Sequence, residues 1–249
     1  MKNAPSRVER VELNPASELA YAPIPEEGFT RSASGLLLCE SAFQPDISLF
    51  LRTTWMHLEF TPDGVLFAYR RGIFPMSNSE IDVIQWYRPD PRAILPLDGF
   101  HASHSLAKTI RRGRFEVRFN SDFEGVMRAC AVREEGTWIT EDFIELYATL
   151  HRKGKAHSVE VLLEGRLVGG TYGVAIGGAF MAESMFHFET DASKVAISAL
   201  VQRLNERAFK LLDVQYQTSH LMSLGVIEIP RQEYYQRLKR AVRLPCKFE

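Results

Sequence analysis

The segment from residue 157 to residue 217 constrains the fold most strongly, because its apolar runs and turn signals predict a definite order of elements. Three apolar runs separated by the dipeptides Glu-Gly and Gly-Gly predict three strands joined by tight hairpin turns. These strands are predicted at 157–163, 166–176 and 179–188. Thr190 or Asp191 is a typical helix N-cap and predicts a long helix ending at Ala208. A further strand at 210–217 completes the order β-β-β-α-β.

The rest of the chain reads as an alternation of short helices and strands after an irregular beginning. Residues 1–45 are rich in Pro, Glu, Ser and Ala, and only 35–38 suggests a short strand. Helices are predicted at 65–71, from 103 or 105 to 112, at 122–131 and at 141–153, and strands at 84–87, 92–95 and 115–119. A Pro-Asp-Pro break at 89–91 predicts three parts, which are an extension at 1–45, a small α/β domain at 46–90 and a larger domain at 91–249.

Composition and charge give no sign of a strongly basic nucleic-acid-binding protein, of a zinc or thioredoxin-like site, or of a membrane protein. The 249 residues carry a net charge of −1, so no overall positive field indicates nucleic-acid binding. Cys39, Cys130 and Cys246 lie far apart, without the CxxC spacing of zinc or thioredoxin-like sites. Free thiols, no signal-peptide pattern at the start and no apolar run of membrane-spanning length predict a cytoplasmic protein that does not enter the membrane.

Three polar residues stand in apolar surroundings and are the candidates for chemistry. Glu183 lies within an apolar strand, where a carboxylate is expected to be paired or functional. Asp213 and Gln215 are two residues apart on a predicted strand, so their side chains share one face, opposite Leu212 and Val214. The structural alternatives are a salt bridge from Glu183 to a buried Arg or Lys, and an Asp213 satisfied by backbone N–H groups beside a solvated Gln215.

An ordered series of segments resembles one known family, the leucyl/phenylalanyl-tRNA–protein transferases. The matching segments are 68–75 (AYRRGIFP), 88–93 (RPDPRA), 137–139 (TWI), 156–160 (AHSVE), 167–170 (LVGG), 172–174 (YGV), 183–186 (ESMF), 191–194 (DASK), 223–225 (SLG) and 229–231 (IPR). The resemblance implies an α+β protein whose larger domain has the GNAT-like acyltransferase fold. The predicted order of elements, β-β-β-α-β, is the order found in that fold.

The resemblance also implies a reaction. The free α-amine of a protein's first residue attacks the ester carbonyl of an aminoacyl-tRNA, and a peptide bond forms as the tRNA leaves. Because the ester is already activated, no cofactor, metal or enzyme nucleophile is expected. The protein has only to position the two substrates, deprotonate the amine and stabilise the developing oxyanion. The family moves Leu or Phe to acceptors that begin with Lys or Arg, and this marks them for degradation by the N-end rule.

Three residues take catalytic roles by this resemblance. Asp213 is expected to draw the proton from the attacking amine, with the Gln215 amide relaying or orienting that contact. Glu183 is expected near the donor's aminoacyl group, where a carboxylate can hold the α-ammonium.

Six further residues are expected to bind substrate. Trp138 and Tyr69 match aromatics near the terminal adenosine, although core packing is the ordinary alternative for such rings. Phe180, Met185 and Thr171 are expected to line the pocket for the donor side chain. Thr171 stands where the family usually has Leu or Met, and Met76 where it usually has Trp, so these two changes bear on donor preference, which stays open, rather than on the reaction class.

A basic run supplies the candidate contact with the tRNA acceptor end. Its residues are Lys108, Arg111, Arg112 and Arg114. Phosphate contacts of this kind are salt-sensitive, and the alternative is a solvated helix face. The alternatives for the whole protein are a transferase of the same fold with altered donor or acceptor choice, an acyl-CoA-dependent acetyltransferase, and a catalytically silent tRNA- or degron-binding module. The acetyltransferase lacks support, since no Gly-rich pyrophosphate loop precedes the long helix.

Overall fold

A seven-stranded sheet organises the residues that the computed structural model describes, which are 58–78, 83–133 and 136–249. Its strands are β3 (Arg92–Ile94), β4 (Glu116–Phe119), β5 (Ala156–Leu163), β6 (Arg166–Ile176), β7 (Ala179–His187), β8 (Leu211–Gln215) and β9 (Ile227–Ile229). They lie in the order β4-β5-β6-β7-β8-β3-β9, and every neighbouring pair is antiparallel except β7 with β8, which is parallel. Two more strands, β1 (Phe74–Asn78) and β2 (Val83–Tyr87), form a separate antiparallel hairpin.

Helices cover both faces of the seven-stranded sheet. They are α1 (Pro62–Tyr69), α2 (His104–Arg111), α3 (Phe123–Ala131), α4 (Glu141–Arg152), α5 (Ala192–Glu206), α6 (Ser219–Met222) and α7 (Arg231–Ala241). Buried apolar residues of α1, α3, α4 and α7 form a first core, and those of α2, α5 and α6 form a second. Adjacent residues of β7 divide between them, as Met181 joins the first core and Phe180 the second, so the two cores lie on opposite faces. None of the described helices is both long and apolar enough to cross a bilayer.

Local sequence signals account for where most of these helices begin. The side chains of Thr61, Ser103 and Asp122 accept hydrogen bonds from backbone N–H groups at the first turns of α1, α2 and α3, as expected for N-caps. Asp191 occupies the N-cap position of α5 but has φ 68° and makes no capping bond. Its carboxylate instead accepts a hydrogen bond from Thr109 on α2 over 3.1 Å, which ties the two helices together.

The predicted α+β class and the GNAT-like β-β-β-α-β order are confirmed by β5, β6, β7, α5 and β8. The sequence patterns do not predict β1, α6, β9 or α7. These elements are short or strongly polar, so hydrophobic periodicity identifies them poorly. The predicted extension at 1–45, its strand at 35–38 and Cys39 lie outside the described residues, and the domain boundaries at 45 and 90 stay predictions.

Candidate active site

Glu183 lies in a β-bulge, an irregularity that pattern reading does not reveal. Across β6 and β7, Tyr172 pairs with Ser184 and Gly173 pairs with Ala182, so Glu183 faces no residue on the neighbouring strand. A bulge places an extra residue on one strand and redirects its side chain. The carboxylate of Glu183 lies on the face that carries α1 and α4, as does Met181 two residues before it, and the alternation along β7 changes only after the bulge, where Met185 joins the second core and Phe186 the first.

The parallel pairing of β7 with β8 stops just before this bulge. Its three residue pairs end at Met181 with Asp213. Beyond that point a side-chain contact joins the strands, because Gln215 Nε2 donates a hydrogen bond to Glu183 Oε2 over 3.2 Å. Gln215 has φ 66°, which an L residue adopts only when its surroundings hold it there. The end of the β7–β8 ladder is therefore a polar opening in the sheet.

The other oxygen of Glu183 bonds to one buried tyrosine, which in turn bonds to a second. Tyr69 of α1 donates its hydroxyl proton to Glu183 Oε1 over 2.5 Å, and the hydroxyl oxygens of Tyr69 and Tyr147 lie 2.6 Å apart. Burial raises the pKa of Glu183 to about 7, although the hydrogen bonds from Tyr69 and Gln215 oppose this rise. Glu183 makes no ion pair among the described residues, so the salt-bridge alternative does not hold there. With a pKa of about 7, this carboxyl group exchanges a proton near neutral pH.

Asp213 has a different environment, because it is fully enclosed and ion-paired. Arg92 donates to it through Nε, 2.8 Å from Oδ1, and through Nη2, 2.6 Å from Oδ2. Tyr234 donates its hydroxyl to Oδ2 over 2.8 Å, and the backbone N–H of Gln215 donates to Oδ1 over 2.9 Å. None of the Asp213 surface is exposed. The carboxylate thus anchors β3, α7 and the end of β8 to one another.

The expectation that Asp213 draws a proton from a substrate amine stays a prediction, to which the structure adds how this carboxylate is enclosed. The Asp213 carboxylate has no exposed surface, and the side-chain amide of Gln215 bonds to Glu183 rather than to Asp213. Sequence reasoning misses Arg92 and Tyr234 as its partners. One signal was available, since a buried Asp needs a cation and Arg92 stands in a predicted strand within a matched segment.

The two predicted stacking aromatics differ in what they expose. Tyr69 is only 1% exposed, so it offers no ring face to a base and acts instead through its hydroxyl. Trp138 is half-buried and meets Phe143 edge to face, with 5.3 Å between ring centroids. Met76 is also half-buried and packs against the first core, as Trp138 does. Trp138 and Met76 therefore lie on the same side of the sheet as Glu183 and retain accessible surface.

The three residues predicted to line a side-chain pocket lie on the opposite side, with the second core. Phe180 has no exposed surface and packs on Phe248 at 5.5 Å between ring centroids. Thr171 is 1% exposed, and its hydroxyl donates to the backbone carbonyl of Ser184 over 2.9 Å. Met185 pairs with Thr171 across the strands and alone of the three keeps exposed surface. The structure thus leaves Met185 accessible and makes Phe180 and Thr171 core residues.

The basic residues of α2 form an exposed surface. Lys108, Arg111 and Arg112 (hereafter the α2 basic surface) are exposed and make no ion pair among the described residues. Arg114 is exposed as well, but it pairs with Glu189 over 2.7 Å. The α2 basic surface therefore retains the positive charge that phosphate binding requires, and Arg114 retains less of it.

Cysteines and metal-binding residue types show no further reactive centre in the described ranges. Cys130 and Cys246 are free thiols. Burial raises the pKa of Cys130 to about 12, so this thiol stays protonated at neutral pH. Within 58–78, 83–133 and 136–249, no three His, Cys, Asp or Glu residues are placed to hold a metal ion together.

Comparison with known proteins links this geometry to one family. The model of the leucyl/phenylalanyl-tRNA protein transferase domain matches residues 94–239, and that of its N-terminal domain matches residues 59–90. A leucyl/phenylalanyl-tRNA–protein transferase of Gloeobacter violaceus is 52% identical over 78% of this chain and all of its own length. The one from Rubrobacter xylanophilus is 52% identical over 77% of this chain and all of its own length. Among solved structures, the PaiA N-acetyltransferase of Thermoplasma acidophilum aligns with a TM-score of 0.35 at 14% identity, over 44% of this chain and 84% of its own. The chain belongs to the leucyl/phenylalanyl-tRNA–protein transferase family.

Proposed function

We propose that this protein transfers an aminoacyl group from an aminoacyl-tRNA to the N-terminal amine of an acceptor protein. The observation that carries this proposal is the polar opening at the end of the β7–β8 ladder, where Glu183 and Gln215 meet. A carboxyl group that exchanges a proton near neutral pH, beside an amide N–H donor, suits the attack of an amine on an ester. Membership of the family supplies the substrate class.

The reaction needs little covalent help from the protein. The amine nitrogen bonds to the ester carbonyl carbon, the bond from that carbon to the ribose oxygen breaks, and the ribose hydroxyl recovers a proton. Holding both reactants together removes much of the entropic cost of this step. Gln215 and Glu183 line the place where the bonds change, and the buried Asp213 keeps the end of β8 in position.

The donor's terminal adenosine fits the accessible surface of Trp138 and Met76, on the same side of the sheet as Glu183. The α2 basic surface then binds phosphates of the acceptor stem. Leu and Phe remain the proposed donors, because Thr171 is enclosed and its hydroxyl is already bonded. The proposed acceptors are cytoplasmic proteins that begin with Lys or Arg, which transfer would mark for degradation.

Single-turnover transfer to model peptides tests the proposal. The donors are Leu-, Phe-, Met- and Ala-tRNA, and the peptides differ only in a first residue of Lys, Arg, Asp, Glu or Ala. We expect transfer of Leu or Phe to the Lys and Arg peptides, and its loss in Glu183→Gln. Transfer of another amino acid, or to acidic peptides, would preserve the reaction and change the specificity. Binding of tRNA without transfer from any donor would indicate a silent binding module.

A further inference from the structure

We propose that the groove between α7 and the start of β8 binds residues 11–30 of this same chain. The lining of this groove (hereafter the α7 groove) includes Lys210, Glu233, Arg237, Arg240, Ala241 and Leu244. The proposal goes beyond the transfer reaction and does not depend on it, because it assigns an acidic partner to a basic surface that the reaction does not require.

The two walls of the α7 groove are joined by the turn between β6 and β7. Gly178 in this turn donates its N–H to the carbonyl of Ala241, at the end of α7, over 2.8 Å. The Gly178 carbonyl accepts from the backbone N–H of Lys210, directly before β8, also over 2.8 Å. A Cβ at Gly178 would lie 2.9 Å from Leu244 Cδ1, so the chain that follows α7 packs closely on the turn. Backbone contacts therefore fix the walls relative to each other.

The α7 groove combines exposed cations with apolar surface. Arg237 forms an ion pair with Glu233 over 2.6 Å, and this pair largely neutralises itself. Lys210 and Arg240 are exposed and make no ion pair among the described residues, so each wall carries one unneutralised cation. Leu244 beside them is only half-buried. This surface suits a partner that carries both carboxylates and apolar side chains.

The α7 groove lies away from the places where the donor is expected to bind. Lys210 precedes β8 and Gln215 ends it, so the groove and the polar opening lie at opposite ends of that strand. The buried side of α7 belongs to the first core, whereas α2 belongs to the second, on the other face of the sheet. A nucleic acid that lies along the α2 basic surface would have to pass around the sheet to enter the groove. A peptide segment is therefore the better occupant.

Residues 11–30 have the charge and the apolar side chains that the α7 groove requires. This segment, VELNPASELAYAPIPEEGFT, contains no Lys or Arg and four glutamates, which are Glu12, Glu18, Glu26 and Glu27. Its larger apolar residues beside these glutamates are Leu19, Tyr21, Ile24 and Phe29. Carboxylates of the segment can pair with Lys210 and Arg240 while its apolar side chains contact Leu244. The segment precedes residue 59, where the match to the family begins, so this docking would be a feature of this chain.

The chain between the segment and the described fold is long enough for docking. Residues 31–57 separate the two, and at about 3.3–3.6 Å per residue they span up to roughly 90 Å. A folded unit of the size of 58–249 has a radius of gyration of only about 16 Å, so the segment can reach any part of its surface. Covalent attachment makes the docking intramolecular, and exposed ion pairs of modest strength are then sufficient to hold it.

Zero-length cross-linking of the full chain with a carbodiimide tests the proposal, because this reagent joins a carboxylate to an amine only where the two touch. The amine of Lys210 should form an amide with Glu18, Glu26 or Glu27 in the monomeric protein, identified by mass spectrometry after digestion. Arg240→Glu should lower the yield of these cross-links roughly fivefold, the upper end of what one exposed ion pair contributes. The matched control is Arg152→Glu, an exposed residue on α4, which should leave the yield unchanged.

A variant of the segment itself provides a second measurement. Glu26→Gln together with Glu27→Gln leaves the α7 groove intact and removes two of the four charges that bind it. The yield of the cross-link between Lys210 and Glu18 should fall in this double variant. An unchanged yield would show that charge complementarity does not hold the segment there, and would overturn the proposal.

Four further results would overturn the proposal, each in a different way. Absence of any cross-link between Lys210 and the segment would reject docking, and equal yields at the exposed Lys108 or Lys153 would show contact without a specific site. Cross-links of Lys210 found only in a dimeric product would make a second copy of the chain the occupant. A loss of tRNA affinity in Arg240→Glu as large as that caused by alanine across the α2 basic surface would make the groove a tRNA contact. All of these results can be read whether or not the protein transfers amino acids, so failure of the proposed function is distinguishable from failure of this proposal.

Discussion

The ion pair of Arg92 with Asp213 permits a quantitative prediction about stability. In Arg92→Met, Asp213 loses both hydrogen bonds to the guanidinium, at 2.8 and 2.6 Å, and remains a carboxylate without exposed surface. The Gly72 carbonyl also loses a donor. Removing one partner of a buried pair costs about 3–5 kcal/mol, because the other charge stays buried and unpaired. For a chain of this size, about 2–4 °C per kcal/mol gives a fall in Tm of roughly 6–20 °C.

Thermal unfolding followed by circular dichroism at pH 7.5 measures this change. The matched control is Arg231→Met, which breaks an exposed pair with Asp90 at 3.5 Å and should cost at most about 1 kcal/mol. The double variant Arg92→Met with Asp213→Asn should recover part of the loss, because it removes the unpaired buried charge and keeps an acceptor oxygen for the donors that remain, Tyr234 and the Gln215 backbone. A loss in Arg92→Met no larger than in the control, or a double variant no more stable than Arg92→Met, would refute the reasoning.

Three further predictions follow from the site and its surroundings. The pKa of Glu183 is raised from 4.5 to about 7, so its destabilising effect is absent below the lower value and complete above the higher one. Glu183→Gln should therefore stabilise the fold at pH 8 by roughly 3 kcal/mol more than at pH 4.5, measured as the Tm difference from wild type, and an equal difference at both pH values would contradict this. Alanine at all three positions of the α2 basic surface should weaken tRNA binding and reduce the salt slope in filter binding by roughly two, whereas exposed Arg166→Ala should not. Thr171→Val should lower the free energy of unfolding by about 1 kcal/mol, since the Ser184 carbonyl loses a hydrogen-bond donor. It should leave the ratio of Leu to Phe transferred in competition assays unchanged, and a changed ratio would show that Thr171 contacts the donor side chain.

The central order of elements was predictable from sequence because its signals are local. Apolar runs of strand length, Gly-containing turns and polar N-caps each act over a few residues. The predicted strands at 166–176 and 157–163 match β6 and β5 to within one residue. Glu183, Asp213 and Gln215 were also identified from sequence as polar residues in apolar surroundings, and the structure brings all three to the end of one strand ladder.

The separation of roles among these residues was not predictable, because it depends on contacts between distant parts of the chain. Arg92 and Asp213 are 121 positions apart, and Tyr69 and Glu183 are 114 apart. Hydrophobic periodicity carries no information about such partners. It also does not reveal the bulge at Glu183, or which core encloses Phe180 and Thr171.

The amino-acid sequence by itself therefore determined the α+β class, the β-β-β-α-β order and the three polar residues at which chemistry is expected, since propensity and spacing act along the chain. Tertiary structure decided which of the two carboxylates is enclosed by an arginine and a tyrosine and which keeps free lone pairs. The physical reason is that the proton affinity and accessibility of a carboxylate depend on burial and on donors from other elements, and these exist only after the sheet and its helices have packed.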